Sequence, residues 1–385
     1  MKPFEHLTPT RIVFGAGSFE RAGECAAELG GHALVVCGRN AMRRHGVLDR
    51  LTAQLHRRGL AVSVFDGVSP DPKATEVDAA LALLRERSCD LLIGLGGGSA
   101  LDAAKAASVA VEHDSVAEIV GATLAPSPSS LPVLAIPTTA GSGAEVTKGA
   151  IVTDAERAFK SGIRGPDVFP AIALVDPELS ATMPSAVAAE TGFDALTHAV
   201  EPYVARRASP LTEAMSEQAV RLLGASLPGL ISAPPDPERR ARLAYAALLG
   251  GLTVANASTC LPHRLQQAMG SVPRLEVSHG RGLAALYPAW YERARPFAAA
   301  KFDRLGVLLG AEDFGAALEH LRTELGLAAG LAELGFSAAD LDACLGGVSG
   351  NVDNDPIEGV GPALMRAIYE DSTGRTIREP HASTG

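Results

Sequence analysis

The sequence predicts an α/β N-terminal part built on a doubly wound parallel sheet, then an all-α C-terminal part, with the division at 1–180 and 181–385. Three observations carry this expectation. Between Arg11 and Ser180, short and nearly continuous apolar runs alternate with Ala/Leu-rich helical stretches. Those runs have no polar face, as expected of strands covered on both sides. After Asp176-Pro177 such runs nearly vanish and one helical pattern follows another. Strand and helix in alternation require crossover connections and therefore parallel strands. A chain of 385 residues also exceeds one core of ordinary size, so two domains are expected.

In order, the expected strands are Ala33–Cys37, Ala61–Phe65, Leu91–Gly94, Val133–Ile136 and Ile172–Val175. Helices are expected between them over Val47–Arg58, Thr75–Arg87 and Leu101–His113. The C-terminal part reads as helices over Ser185–Val204, Pro210–Leu223, Glu238–Leu252, Leu261–Met269, Pro296–Leu309 and Ala316–Leu325. Ser209-Pro210 is a start signal, Ser as cap and Pro at the first helical position. Pro177, Pro184 and Pro288 are read as element ends, Trp290 as packing, Asn354-Asp-Pro356 as a turn before a last helix, and the polar tail from Ser372 as loosely held.

Composition excludes several classes. With 47% hydrophobic and 20% charged residues the chain is globular rather than disordered. A formal charge of −10 removes the electrostatic attraction on which binding to nucleic acid or an anionic membrane depends. The opening Met-Lys-Pro-Phe-Glu-His has no apolar run behind it, and no window approaches the roughly 18 apolar residues of a membrane span. Five scattered cysteines suit reduced thiols, and Cys260 reads as a small buried hydrophobe. A cytoplasmic location is expected, with neither nucleic acid nor membrane as a partner.

Four features carry chemistry. Leu91-Leu-Ile-Gly-Leu leads into Gly96, Gly97, Gly98 and Ser99, and a helix containing Asp102 and Lys105 follows. Glycines there let backbone amides approach a pyrophosphate at the positive end of the helix. A second loop, with Thr138, Thr139, Ser142 and Glu145, follows the next strand, where an open α/β sheet binds ligands. Asp194 and His198 stand four apart in a helical stretch, on one face, and can share a divalent metal, with His263 and His279 downstream to complete a site. At the end of the first expected strand, Gly38, Arg39 and Asn40 lack the acidic residue that bonds a ribose 2′-hydroxyl, which favours NADP(H) over NAD(H).

Together, Gly96–Lys105, Pro137–Glu145, Val175–Glu178, Asp194–Glu201 and His279–Pro288 resemble the iron-containing (group III) alcohol dehydrogenases, in order and at the expected separations from Phe14 to about Pro356. The resemblance implies a Rossmann-like NAD(P)-binding domain with a parallel sheet, an all-helical domain, a catalytic Fe(II) or Zn(II) between them, and a homodimer. Carried over by position, the ligands are Asp194, His198, His263 and His279, and the reaction is reversible hydride transfer between nicotinamide and a small aldehyde or alcohol.

There are two departures. Gln267 stands where relatives commonly have a proton-relaying His, and an amide does not titrate near neutrality. The segment Gly270–Ser278 is longer than usual. Arg264 and Arg274 are candidates for pairing an anionic group on the aldehyde, of the phosphonoacetaldehyde or semialdehyde kind, and Lys160 for meeting substrate or cofactor. The alternatives are an enzyme like dehydroquinate synthase or glycerol-phosphate dehydrogenase on the same fold, or a catalytically impaired nucleotide-binding relative. Sparse basic residues between 185 and 290 argue against the first.

Overall fold

The computed structural model describes residues 3–233 and 236–374. Met1 and Lys2 of the opening segment, and residues 375–385 of the polar tail, lie outside the described residues. All five expected runs are strands of one six-stranded parallel sheet: β2 (His32–Gly38), β3 (Ala61–Val68), β4 (Leu91–Gly96), β5 (Val133–Pro137) and β8 (Ile172–Val175), with β1 (Arg11–Phe14) completing the order β1-β8-β5-β4-β2-β3. Helices cover both faces: α1 (Ala22–Ala27), α2 (Ala41–Arg44), α3 (Val47–Arg57), α4 (Ala74–Arg87) and α5 (Gly98–Val109). Alternate residues of one strand enter opposite cores. Leu34, Val36 and Leu92 pack to one side, and Val35, Ile93 and Leu95 to the other. That two-sided burial is what the continuous apolar runs reported.

An antiparallel hairpin, β6 (Gly149–Asp154) and β7 (Phe159–Arg164), was not among the expected strands. β6 is buried on one face and alternates instead of running apolar, while β7 is buried over 160–163 through Lys, Ser, Gly and Ile; Ala150, Val152 and Ile163 join a sheet-face core. Asp154 accepts from the Glu156 and Arg157 amides, both at 3.0 Å, and closes the turn. Lys160 and Arg164 lie four apart on β7 and therefore share a face.

The C-terminal part is helical throughout: α6 (Ser185–Val204), α7 (Pro210–Ser226), α8 (Pro237–Ala257), α9 (Leu261–Ala268), α10 (His279–Leu308), α11 (Phe314–Glu324), α12 (Ala338–Gly347) and α13 (Pro362–Asp371). Its core gathers Phe193, Tyr287, Trp290, Phe302 and Phe314. The expected helix from Pro296 is only the end of α10, which starts at His279 and bends at Ala298. Pro288 is therefore inside a helix rather than at an end, beside the fully buried Tyr287 and Trp290. Among the described residues no single helix is long and apolar enough to cross a membrane.

The two parts meet backbone to backbone. A Cβ on Gly143 would lie 2.5 Å from Gly251 Cα, and one on Gly251 only 2.3 Å from Gly143 O. The loop after β5 thus sits directly on α8, and glycine is required on both sides of the contact.

Candidate metal and nucleotide site

Helix α6 carries Asp194, His198 and Glu201 on one buried face, at the i, i+4, i+7 spacing of a helical stripe. His263 comes from the first turn of α9, which meets α8 at an angle of 97°. At this corner Ser258 has φ 63° and ψ 170°, a conformation L-residues rarely adopt. The surroundings hold it there. Asn354 Nδ2 donates to Ala257 O at 2.8 Å and to Thr259 O at 3.1 Å, on either side of Ser258. The buried Asp355 accepts from Leu261 N at 2.8 Å, capping α9, and from Trp290 Nε1 at 2.9 Å. His279 opens α10 at the end of the long 270–278 segment.

These four residues converge. Asp194 Oδ1 lies 3.4 Å from His279 Nε2, 3.6 Å from His198 Nδ1 and 3.7 Å from His263 Nε2. Asp194, His263 and His279 form the tightest set, each offering a ligand atom within 4.8 Å of the others. His198 stacks on His263 with ring centroids 4.6 Å apart. Asp194 Oδ1, His198 Nδ1 and His263 Nε2 are buried without any hydrogen-bond partner among the described residues. Buried polar atoms normally find partners, and three orphans facing one another fit a cation held between them. One carboxylate with three imidazoles suits Fe(II) or Zn(II).

Two further side chains aim the rings. Glu201 Oε1 accepts from His263 Nδ1 at 2.8 Å while its other oxygen holds the Cys260 amide at 2.6 Å. Gln266 Oε1 accepts from His279 Nδ1. Each contact turns Nε2 of its ring toward Asp194. In the metal-free protein, burial opposes charge on Asp194, but the surrounding imidazoles hold its pKa well below the carboxylate range. Burial pushes His198 down to about 4, whereas in His263 the carboxylates of Glu201 and Asp194 outweigh burial and push it up to about 9.

The cluster closes one end of a cavity of about 700 Å³. Of the residues expected to meet the cofactor, Gly98, Ser99, Asp102, Thr139, Ser142 and Lys160 line it. Helix α5 starts within the glycine run, earlier than expected, so the amides of Gly98 and Ser99 belong to its first turn. Gly96, Gly97 and Thr138 stand behind this wall, with Thr138 N donating to Gly96 O at 2.9 Å, so the two loops form one unit. Asp102 accepts from Ile151 N at 3.0 Å and faces Lys105 at 3.6 Å, a brace for β6. Gly38, Arg39 and Asn40 lie outside the cavity lining, at the end of β2 beside β4. Arg39 pairs with Glu76 at 3.4 Å and Arg43 with Asp66 at 2.7 Å.

Lys160 is buried and paired with Asp71 at 2.7 Å. Gln267 is on the cavity wall, where its Oε1 accepts from Arg264 Nη1 at 3.1 Å. Arg274 does not belong to the cavity lining; its side chain is exposed and ion-paired with Asp340. Glu201, Gln266, Asn354, Asp355 and Arg164 were not anticipated. Glu201 had a signal, since it continues the Asp194/His198 stripe by one turn.

The family profile described as iron-containing alcohol dehydrogenase matches residues 9–177, and that described as its C-terminal counterpart matches residues 188–349. The chain is 32% identical over 354 residues to a 1,3-propanediol dehydrogenase of Klebsiella pneumoniae, covering 88% of this chain and 90% of that one. A solved structure of a 1,3-propanediol oxidoreductase superposes with a TM-score of 0.90 at 30% identity, covering 96% of this chain and 100% of the other. A sulfoacetaldehyde reductase of Bifidobacterium kashiwanohense, in complex with NAD+, superposes with a TM-score of 0.85 at 26% identity, over 97% and 100%. This chain belongs to the iron-containing alcohol dehydrogenases, oxidoreductases that act on CH–OH groups with a divalent metal and a nicotinamide cofactor.

Proposed function

We propose that the chain is a metal-dependent, NADP(H)-preferring reductase of a small aldehyde bearing an anionic group, working reversibly on the alcohol. The observation that carries the reading is the set of orphaned polar atoms of Asp194, His198 and His263 at the end of a cavity whose opposite wall is a glycine loop. Asp194, His198, His263 and His279 would hold a divalent ion, which when bound would supply Lewis acidity to the substrate oxygen. Nicotinamide supplies the hydride.

The chain's own residues do the rest. Gly98 and Ser99 present first-turn amides to the pyrophosphate, and Thr139 and Ser142 flank it from the second loop. Gly38 puts no acidic side chain at the end of β2, and Arg39 beside it is exposed, which supports acceptance of a 2′-phosphate. Gln267 cannot titrate, so the proton for the substrate oxygen would come from another donor, water or the ribose hydroxyls of a bound cofactor. The anionic group is supported by the two cavity arginines that are not exposed, Arg164 and Arg264, neither of which has a carboxylate partner among the described residues, and by the likeness to a reductase of sulfoacetaldehyde, an aldehyde carrying a sulfonate.

NAD(P)H oxidation against neutral and anionic aldehydes tests this. The expected result is one cofactor consumed per aldehyde, with a higher kcat/KM for NADPH than for NADH. Turnover of a substrate without net cofactor consumption would instead favour cyclase chemistry of the dehydroquinate-synthase kind.

A further inference from the structure

We propose that Arg164 and Arg264 form the subsite that binds the anionic end of the substrate, and that Gln267 is a positioning residue for Arg264 rather than a failed proton relay. This rests on the aldehyde-reductase reading and assigns its specificity to particular residues.

Arg264 follows the ligand candidate His263 and is only 6% exposed. Its guanidinium donates to Gln267 Oε1 and Thr259 Oγ1, while Nε is buried with no partner. Arg164, at the end of β7, donates to Gly162 O at 2.9 Å. Among the described residues neither arginine has a carboxylate within 4.0 Å. The other basic groups of the cavity are either paired, as Lys160 is with Asp71, or exposed, as Lys148 and Arg207 are.

The two guanidiniums converge over Gly350. A Cβ placed on that residue would lie 3.5 Å from Arg264 Nη1 and 4.0 Å from Arg164 Nη2. A side chain at 350 would fill the space between them; glycine, with φ +89°, leaves it open. Holding a buried and a half-buried guanidinium together without a counter-ion is costly, and an arriving anion offsets that cost. The forked donors suit an oxyanion that can engage both at once. Gln267 is the right residue type for this arrangement. Its carbonyl accepts from Arg264 without charge, where a histidine one turn from His263 would bring a ring that can itself become cationic beside two arginines.

The test uses the metal-loaded enzyme and compares phosphonoacetaldehyde with propanal, together with KM for NADPH. Arg264→Met and Arg164→Met are each expected to lower the ratio of kcat/KM values, phosphonoacetaldehyde over propanal, about a hundredfold. Arg264→Lys keeps the charge but loses the fork and should fall between. Gln267→Met should raise KM for the anionic aldehyde more than it lowers kcat, and Gln267→Glu should do more harm, because its carboxylate occupies Arg264. Equal losses on both aldehydes, or a loss confined to KM for NADPH, would overturn the assignment. If no aldehyde is reduced, the activity reading fails by itself, and thermal stabilisation by inorganic phosphate decides the subsite. Stabilisation of the parent but of neither arginine variant supports it, and equal response in all three sinks it.

Discussion

The two walls of the cavity are built by opposite means. On the sheet side the groups proposed to meet the pyrophosphate are backbone amides at the start of α5, and the side chains there are small. On the helical side the groups that converge are side chains, and contacts distant in sequence help to place them: Glu201 aims His263, Asp355 holds the α9 terminus and Asn354 the Ser258 corner. Backbone serves for a phosphate, which any correctly curved loop can cradle. A metal needs particular donor atoms at particular angles, and so a supporting shell.

The comparison predicts separable failures. Asp194→Ala should abolish metal binding and lower turnover by roughly 10³-fold or more while the protein stays folded and still binds NADPH. Metal content beside NADPH fluorescence titration checks this; joint loss of both would mean that the walls are not independent. Glu201→Gln, one step out, should weaken metal affinity about 10- to 100-fold. Metal competition with a chelator reads that directly, and unchanged affinity would remove Glu201 from its assigned role.

On the other wall, Gly98→Ala brings a Cβ to 2.7 Å from Ser142 Oγ. It should raise KM for NADPH several-fold and leave bound metal at the parent level. Loss of metal in that variant would break the comparison.

The smallest effect concerns the join between the walls. Burial pushes the Glu145 carboxyl from its ordinary 4.5 up to about 7, with Lys105 acting against the shift. The folded protein therefore holds a proton there that the unfolded chain releases, so this stability is complete below about pH 4.5 and is lost as pH rises through 7. Glu145→Gln should raise Tm relative to the parent more at pH 8 than at pH 5, with a ceiling of about 3 kcal/mol. A difference independent of pH would contradict it.

The same contrast explains what could be read in advance. The glycine run, the Thr138 loop and the Asp194/His198 pair are each contiguous, and the strands behind them carry a strong signal because they are buried on both faces. In the hairpin β6 alternates and β7 is buried over 160–163 through polar and small residues rather than an apolar run, so Arg164, which it delivers to the cavity, carries no local signal. The front of α10 is masked by Gly280 and Gly282, poor helix formers in isolation. Gln266, Asn354 and Asp355 act only through chain brought together by folding, and nothing local marks them. Gln267 was conspicuous as an unusual residue, but its contact with Arg264 needed the structure.

The most direct test of the central claim is the metal content of protein purified without oxygen or chelator, beside that of His263→Ala. About one iron or zinc per chain is expected in the parent and little in the variant, with turnover following the metal. A parent that reduces aldehydes at full rate without stoichiometric metal would contradict it.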